Sequence, residues 1–414
     1  MADISQWMSS ANRTSSKKRG MWIMSIHYKK LTEKELNRII KTNKRIDEIS
    51  MLKGVGILSV MICHMATVAG LSMPGVISNS LMIPMMILFY MLSGYTSSEK
   101  TNARNQITKR TGRILIPYYQ YAIPMLIVLA VIYLVIEKKT LAWYADGSLG
   151  LLFQLQSFHA FDPLTQGVHP MFYSVLIGWF LFQMAVSNLI FIPLQYALKG
   201  KKSLWKLVAA VILLLMGAGL YMLNLQGLNG EFFPPVCKIF ILPNIPGIAG
   251  LMMIGNYVAS LSLFDFDTYS VKRKALSLIS LPILIAFILT DDHIYDFPIG
   301  KWASYGGLSY IAAPIAGLAL IIILGILCNQ IKRLSVIKKI FIHLGDNSMD
   351  YLMVHLFVGF LTAYIGGFWV NYLTDPKPDY DTTSKVLHFV ILIISILGVS
   401  YTVVRLKQLL AKKE

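Results

Sequence analysis

The chain is poor in charged residues. Only 14% of its 414 residues are charged, whereas 55% are hydrophobic, and the mean hydropathy is +0.59. A water-soluble domain of this composition would have too little polar surface to cover its apolar core. The composition excludes an ordinary soluble protein and predicts that most of the chain lies in lipid.

Cysteine is also scarce. The three residues, Cys63, Cys237 and Cys328, each lie within or at the edge of an apolar run. Their spacing matches neither a zinc site nor a disulfide framework. We therefore expect buried thiols and no bound metal.

Acidic residues are few: 21 Asp and Glu stand against 38 Lys and Arg, which gives a net charge of +17. A nucleic-acid partner would need a basic patch on a water-exposed module, and the sequence contains no recognisable one. The amino terminus also lacks the pattern of a cleavable signal peptide, so we expect it to be retained. The excess of positive charge needs another explanation.

Long apolar runs dominate the rest of the chain. A helix needs about 20 apolar residues to cross the hydrocarbon of a bilayer. Ten runs meet or approach this length, near residues 51–70, 77–96, 117–136, 171–194, 204–223, 237–261, 275–290, 308–328, 349–368 and 386–404. The predicted fold class is all-α, a polytopic bundle of about ten transmembrane helices.

The basic residues set the orientation of these helices, because positive loops stay on the cytoplasmic side. With the amino terminus inside, 31 of the 38 Lys and Arg residues fall on that side. Both termini are thus predicted to be cytoplasmic, and the bias explains the positive charge. We expect residues 1–50 to form a cytoplasmic segment with a short surface helix near 31–43, residues 51–404 to form the transmembrane domain, and residues 405–414 to form a cytoplasmic basic tail.

The first predicted span carries two ionisable side chains, Lys53 and His64. Eleven residues correspond to about three helical turns, so both point from one face with about 16 Å of rise between them. Ionisable groups within a span usually face a cavity or a partner. The alternative is that Lys53 reaches back to the inner interface and His64 makes only a structural hydrogen bond between helices.

A pair of arginines, Arg110 and Arg113, precedes the third span. They lie one helical turn apart and could clamp phosphate oxygens, for which the guanidinium group is well suited. From charge alone, an anchor that touches lipid headgroups is an equal alternative.

Four stretches in this order resemble the acyltransferase-3 family of membrane-bound acyltransferases, which includes relatives that O-acetylate bacterial surface polysaccharides. The stretches are Asp47 to His64, Leu92-Ser93-Gly94-Tyr95, Arg110-x-x-Arg113 followed by Pro117-Tyr118, and Leu344-Gly345 to His355. The resemblance covers residues from about 45 to 405. It implies a multi-pass protein of the bacterial inner membrane, with no bound cofactor.

The resemblance also implies a reaction, the transfer of an acyl group from cytoplasmic acyl-CoA, most simply acetyl-CoA, to a hydroxyl of an extracytoplasmic or lipid-linked glycan. His64 matches the catalytic position, and Lys53, Arg110 and Arg113 match positions that hold the donor. Ser93, Tyr118 and His355 are candidate supporting residues, with a structural role favoured for His355. A neutral imidazole could take the proton of the attacking hydroxyl; the sequence leaves open whether an acyl-histidine forms first.

Two other functions remain compatible with the sequence. A transporter or flippase for a polar or lipid-linked molecule would also need about ten helices, an intramembrane ionisable group and a basic inner face. A non-catalytic component of a polysaccharide export complex would tolerate His64→Ala but not bulky changes at helix interfaces. Consumption of acyl-CoA by the purified chain separates the enzyme from both.

Overall fold

A computed structural model describes residues 47–71, 86–97, 102–153, 178–225, 244–260, 278–280, 282, 285, 309–331, 334–368 and 380–411. The predicted surface helix near residues 31–43 and most of the predicted run 275–290 lie outside these ranges. Within them, the secondary structure is helical and no strand occurs. This confirms the predicted all-α class for the described part of the chain.

The helices follow one another with short connections where both ends are described. Their bounds are α1 Asp47–Val68, α2 Met86–Tyr95, α3 Ala103–Ala130, α4 Leu141–Phe153, α5 Gly178–Ala197, α6 Ser203–Leu225, α7 Asn244–Ser260, α8 Ser309–Ile331, α9 Ser335–Asp346, α10 Ser348–Ile365 and α11 Thr382–Leu410. A π-helical segment, Val131–Ile136, continues α3.

Six helical stretches are long and apolar enough to cross a membrane: Asp47–Val68, Ala103–Ile136, Phe180–Ala197, Ser203–Leu220, Ser348–Ile365 and Thr382–Leu410. Each coincides with a predicted run. Helix α2 and residues Ile245–Ser260 of α7 are shorter apolar helices. The protein is therefore a helical membrane protein, whereas the total of ten crossings and the cytoplasmic position of both termini remain predictions.

Helix α3 begins earlier than the apolar run predicted. Asn102 caps it, since its side chain accepts a hydrogen bond of 2.8 Å from the backbone N–H of Asn105. The helix then carries the basic turn before entering its apolar part near Pro117. Arg110 and Arg113 therefore lie within α3. The apolar run did not include them, because hydropathy locates only the membrane-embedded portion of a helix.

Glycines bring α2 and α7 into backbone contact. A Cβ atom on Gly94 would overlap the carbonyl of Met252, and one on Gly255 would overlap the carbonyl of Met91. Small residues allow helices to approach this closely in membranes. The glycine of the Ser93-Gly94-Tyr95 stretch thus fixes the position of Ser93.

A similar contact joins α1 to the region where α9 meets α10. Cβ atoms on Gly54 and Gly345 would overlap the carbonyls of Phe341 and Ser50, respectively. The Ser50 hydroxyl donates a hydrogen bond of 2.8 Å to the Asp346 carboxylate beside this contact. The turn of α1 that carries Lys53 is therefore held against the end of α9, directly before α10 begins.

The outward surface of the bundle is apolar. Leu215 on α6 is 56% exposed and Ile394 on α11 is 65% exposed. Such side chains are stable in contact with lipid and would be costly in water. The interior holds the polar and charged groups described below, as expected for helices packed in a bilayer.

Candidate active site

A cavity of about 600 Å³ lies among α1, α2, α3, α5 and α10. It occupies the end of the bundle where α1 and α10 begin, which is the predicted cytoplasmic end. Apolar side chains of α5 and α10, including Phe180 and Leu352, form part of its wall. The other part is strongly basic.

Four cationic side chains line this cavity: Lys53 of α1 and Lys109, Arg110 and Arg113 of α3. No Asp or Glu is among its described lining residues. Since like charges repel one another at close range, such a set is stabilised by an anionic ligand. The cavity is therefore a candidate site for a molecule with several negative charges.

The structure thus brings together the three residues predicted to bind the donor, and it adds Lys109. From the sequence alone, Lys109 contributes only to the positive charge of the predicted cytoplasmic side. Its position directly before Arg110 on a helix gave no reason to expect both side chains at one cavity, because successive residues point about 100° apart. Only the arrangement of α1, α3 and α5 around the cavity reveals it.

Arg110 is held in place by α2. Its Nη2 donates hydrogen bonds of 2.6 Å to the backbone carbonyl of Ser93 and 2.8 Å to the Ser93 hydroxyl. Its guanidinium also lies 5.7 Å from the ring centre of Phe191. These contacts use one nitrogen and one face of the group, which leaves donors for a ligand in the cavity.

By contrast, Lys53 and Arg113 make no hydrogen bond or ion pair with any described residue. Lys53 is half-buried and lies close enough to Arg110 for their charges to repel. A half-buried ammonium without a counter-ion is costly. This cost would be offset by a phosphate or carboxylate of a ligand.

Deeper in the bundle, His64 of α1 contacts His355 of α10. His64 Nδ1 lies 2.9 Å from His355 Nε2. The ring centres are 5.2 Å apart and the planes differ by 8°. A hydrogen bond joins the two rings edge to edge, because their centres are too far apart for face-to-face contact.

His355 is fully buried, and its other ring nitrogen is also engaged. Nδ1 lies 2.7 Å from the carbonyl oxygen of Leu352 and 3.2 Å from that of Tyr351. His64 is less buried, and no further partner of its Nε2 occurs among the described residues. This histidine pair therefore leaves one nitrogen of His64 available for chemistry.

Helices α1 and α10 connect the cavity to the histidine pair. The side chain of Leu352 lines the cavity, while its carbonyl accepts the hydrogen bond from His355. On α1, Lys53 lines the cavity and His64 lies about three turns further along. Both helices run in the same direction, so the pair lies beyond the inner wall of the basic cavity.

Two predicted supporting residues occupy different positions. Ser93 lines the cavity and bonds Arg110. Tyr118 is fully buried in the core and packs edge to face on Tyr119, with ring centres 4.9 Å apart. Tyr118 is not among the described lining residues of the cavity, and its position is that of a packing residue.

A second charged cluster joins α3, α10 and α11. Asp350 accepts hydrogen bonds of 2.6 Å from the Tyr121 hydroxyl and 2.5 Å from the Lys407 ammonium. Lys407 also lies 5.1 Å from the ring centre of Tyr121. The sequence gave no signal for this cluster, because its members are separated by 57 residues or more.

The comparison with known families agrees with the resemblance seen in the motifs. No curated protein and no solved structure matches the chain. A family model described as an acyltransferase domain matches residues 46–405, which include every described residue of the basic cavity and both residues of the histidine pair. The chain belongs to this family, the acyltransferase-3 family of membrane proteins.

Proposed function

We propose that the protein is a membrane O-acyltransferase, most simply an O-acetyltransferase, which uses cytoplasmic acyl-CoA to acylate a hydroxyl of an extracytoplasmic or lipid-linked glycan. The observation that carries this proposal is the cavity lined by Lys53, Lys109, Arg110 and Arg113 with no carboxylate in its described lining. Acyl-CoA is a soluble molecule with several phosphate charges, and it would enter from the basic, cytoplasmic side.

The cavity supports the donor part of this proposal through charge and chemistry. Arg110 and Arg113 present guanidinium groups, which bind phosphate oxygens through paired hydrogen bonds. Lys53 and Lys109 add ammonium charges around the same space. The apolar wall formed by Phe180 and Leu352 suits the less polar arm that carries the acyl group.

His64 supports the transfer part. The arm of the donor would extend from the cavity along α1 and α10 toward Nε2 of His64. This nitrogen takes the proton of the glycan hydroxyl as the oxygen attacks the thioester carbonyl. The C–S bond breaks, the CoA thiolate takes the proton back from His64, and an ester and free CoA result.

Acyl transfer from radiolabelled acetyl-CoA into glycan tests the proposal. Membranes that contain the native chain are compared with membranes that contain His64→Ala at matched expression. A third sample carries Lys202→Gln, which removes an exposed positive charge outside the cavity. We expect label in glycan for the native chain and the lysine variant and loss of at least about 1,000-fold for His64→Ala.

The other outcomes separate the alternatives. Equal transfer by native and His64→Ala membranes would remove His64 from the mechanism. If no sample consumes acetyl-CoA or a longer acyl-CoA, while glycan crosses the membrane only when the chain is present, the protein is a transporter or flippase. Acyl transfer into glycan and movement of glycan across the membrane, measured on the same membranes, therefore decide between the two classes of function.

A further inference from the structure

The hydrogen bonds around the histidine pair determine which ring nitrogens carry protons. The chain of contacts runs from the carbonyls of Leu352 and Tyr351 through His355 to His64. A carbonyl oxygen can only accept a hydrogen bond. The protonation of each ring nitrogen in this series of hydrogen bonds follows from this fact.

His355 Nδ1 must carry a proton, because it lies 2.7 Å from the Leu352 carbonyl and 3.2 Å from the Tyr351 carbonyl. In a neutral imidazole only one nitrogen is protonated. His355 Nε2 then holds a lone pair and acts as an acceptor. The backbone of α10 thus fixes the tautomer of a buried side chain.

His64 Nδ1 must consequently donate to His355 Nε2 across the 2.9 Å contact. The opposite tautomer of His64 would direct two lone pairs at each other over this distance and lose the hydrogen bond. His64 Nε2 therefore holds the lone pair. This is the nitrogen for which the described residues provide no partner.

We propose that His355 is a positioning residue that fixes His64 in the tautomer whose Nε2 can accept the proton of the acceptor hydroxyl. The inference rests on the proposed function and adds the atom that reacts and the residue that selects it. When Nε2 takes the proton, His64 becomes a cation whose Nδ1–H still points at a neutral acceptor. His355 thereby stabilises the charged form without losing its own bond to the backbone.

A purely structural role for His355 makes a different prediction. If His355 only filled space between α1 and α10, the effect of replacing it would depend on the size of the new side chain and not on whether that side chain has a hydrogen-bond acceptor. The substitution His355→Gln retains a carboxamide oxygen near the position of Nε2, whereas His355→Leu retains bulk without an acceptor. The two variants separate positioning from packing.

The first readout is kinetic. For His355→Leu we expect kcat to fall about 10–100-fold with KM for acetyl-CoA changed less than about twofold. His355→Gln should recover kcat to within about fivefold of the native value. The control is His388→Leu, the same change at a histidine of α11. His388 stacks on Phe368, which follows the end of α10, and the variant should keep native kcat.

The second readout does not depend on activity. In protein labelled with ¹⁵N at histidine, the shifts of protonated and bare ring nitrogens differ, and subtraction of a His64→Gln spectrum isolates the His64 signals. We expect Nδ1–H and bare Nε2 in native protein and a mixture of tautomers in His355→Leu. A native spectrum with Nε2–H would overturn the inference, as would native kcat in folded His355→Leu or equal losses in folded Leu and Gln variants.

This design also separates the inference from the function it rests on. If the native protein transfers no acyl group, the proposed function fails, and the spectrum alone decides the tautomer. If transfer occurs and requires His64, but the spectrum shows Nε2–H, only the role of His355 fails.

Discussion

Two clusters of charged side chains lie near the predicted cytoplasmic ends of the helices. They differ in whether a carboxylate neutralises the positive charge. In the cluster of Tyr121, Asp350 and Lys407, the carboxylate is bonded to both the phenol and the ammonium. In the cavity, Lys53, Lys109, Arg110 and Arg113 surround a space without any carboxylate among the described lining residues. The first cluster is neutralised by residues of the chain itself, whereas no carboxylate neutralises the second among the residues that the structure describes.

The difference identifies the purpose of each cluster. A self-neutralised network ties helices together and gains nothing from a ligand. A set of cations held apart by rigid helices keeps its charge for a ligand, and it loses stability in the empty state. Lysine therefore pairs with a carboxylate in one cluster, whereas in the other we propose that lysine and arginine bind the donor.

Among the substitutions that test this comparison, we expect Arg110→Gln to have the largest effect, on KM for acetyl-CoA. The change removes charge-assisted bonds to the donor, each worth about 1.5–3 kcal/mol, so KM for acetyl-CoA should rise about 100-fold. Steady-state kinetics in detergent or nanodiscs measures it, with Lys202→Gln as the charge-matched control. An unchanged KM would mean that the cavity does not hold the donor.

A second effect concerns the helix contact that positions Ser93 and Arg110. Gly94→Ala places a methyl group where the carbonyl of Met252 lies, which should cost about 1–3 kcal/mol of stability and distort the cavity. Thermal unfolding and donor KM should both worsen. Gly219→Ala on α6 is the control, because no atom lies near its added methyl; equal behaviour of the two variants would refute the close contact.

The third effect tests the self-neutralised cluster. Asp350→Asn removes the partner of Lys407, which is 46% exposed, so we expect a loss of only about 1 kcal/mol and a modest drop in Tm. KM for the donor should stay within about twofold of the native value. A large rise in donor KM with native Tm would mean that this cluster also belongs to the binding site.

The smallest effect concerns Ser93→Ala. Arg110 keeps its bond to the backbone carbonyl at position 93 and loses only the bond to the hydroxyl. Because the Arg110 guanidinium loses one neutral hydrogen-bond acceptor, KM for acetyl-CoA should rise by about 3–10-fold. A rise as large as that of Arg110→Gln would contradict the view that the hydroxyl only orients the guanidinium.

Local features of the site were predictable from the sequence, since they depend on spacing along one helix. Lys53 and His64 share a face of α1, and Arg110 and Arg113 lie one turn apart on α3, as the spacing predicted. Apolar runs likewise located six stretches able to cross a membrane. Helical periodicity and hydropathy carry this information without any knowledge of packing.

Contacts between distant segments could not be predicted. His64 and His355 are 291 residues apart, and the local sequence around each histidine does not indicate that the two are in contact. The pairing depends on how α10 lies beside α1, and the close contact of α1 with α9, which Gly54 and Gly345 permit, lies just before α10. The start of α3 lies before the predicted apolar run for a different reason, because hydropathy does not detect the polar first turns of a helix.

The most direct test of the central claim is the affinity of the purified protein for acetyl-CoA. Isothermal titration calorimetry would compare the native chain, the double variant Arg110→Gln/Arg113→Gln, and the control Lys201→Gln/Lys202→Gln, which removes as much charge from an exposed turn. The account predicts native affinity for the control and a loss of at least about 100-fold for the arginine variant. Equal affinity of all three proteins would contradict it, because the cations that line the cavity would then not bind the donor.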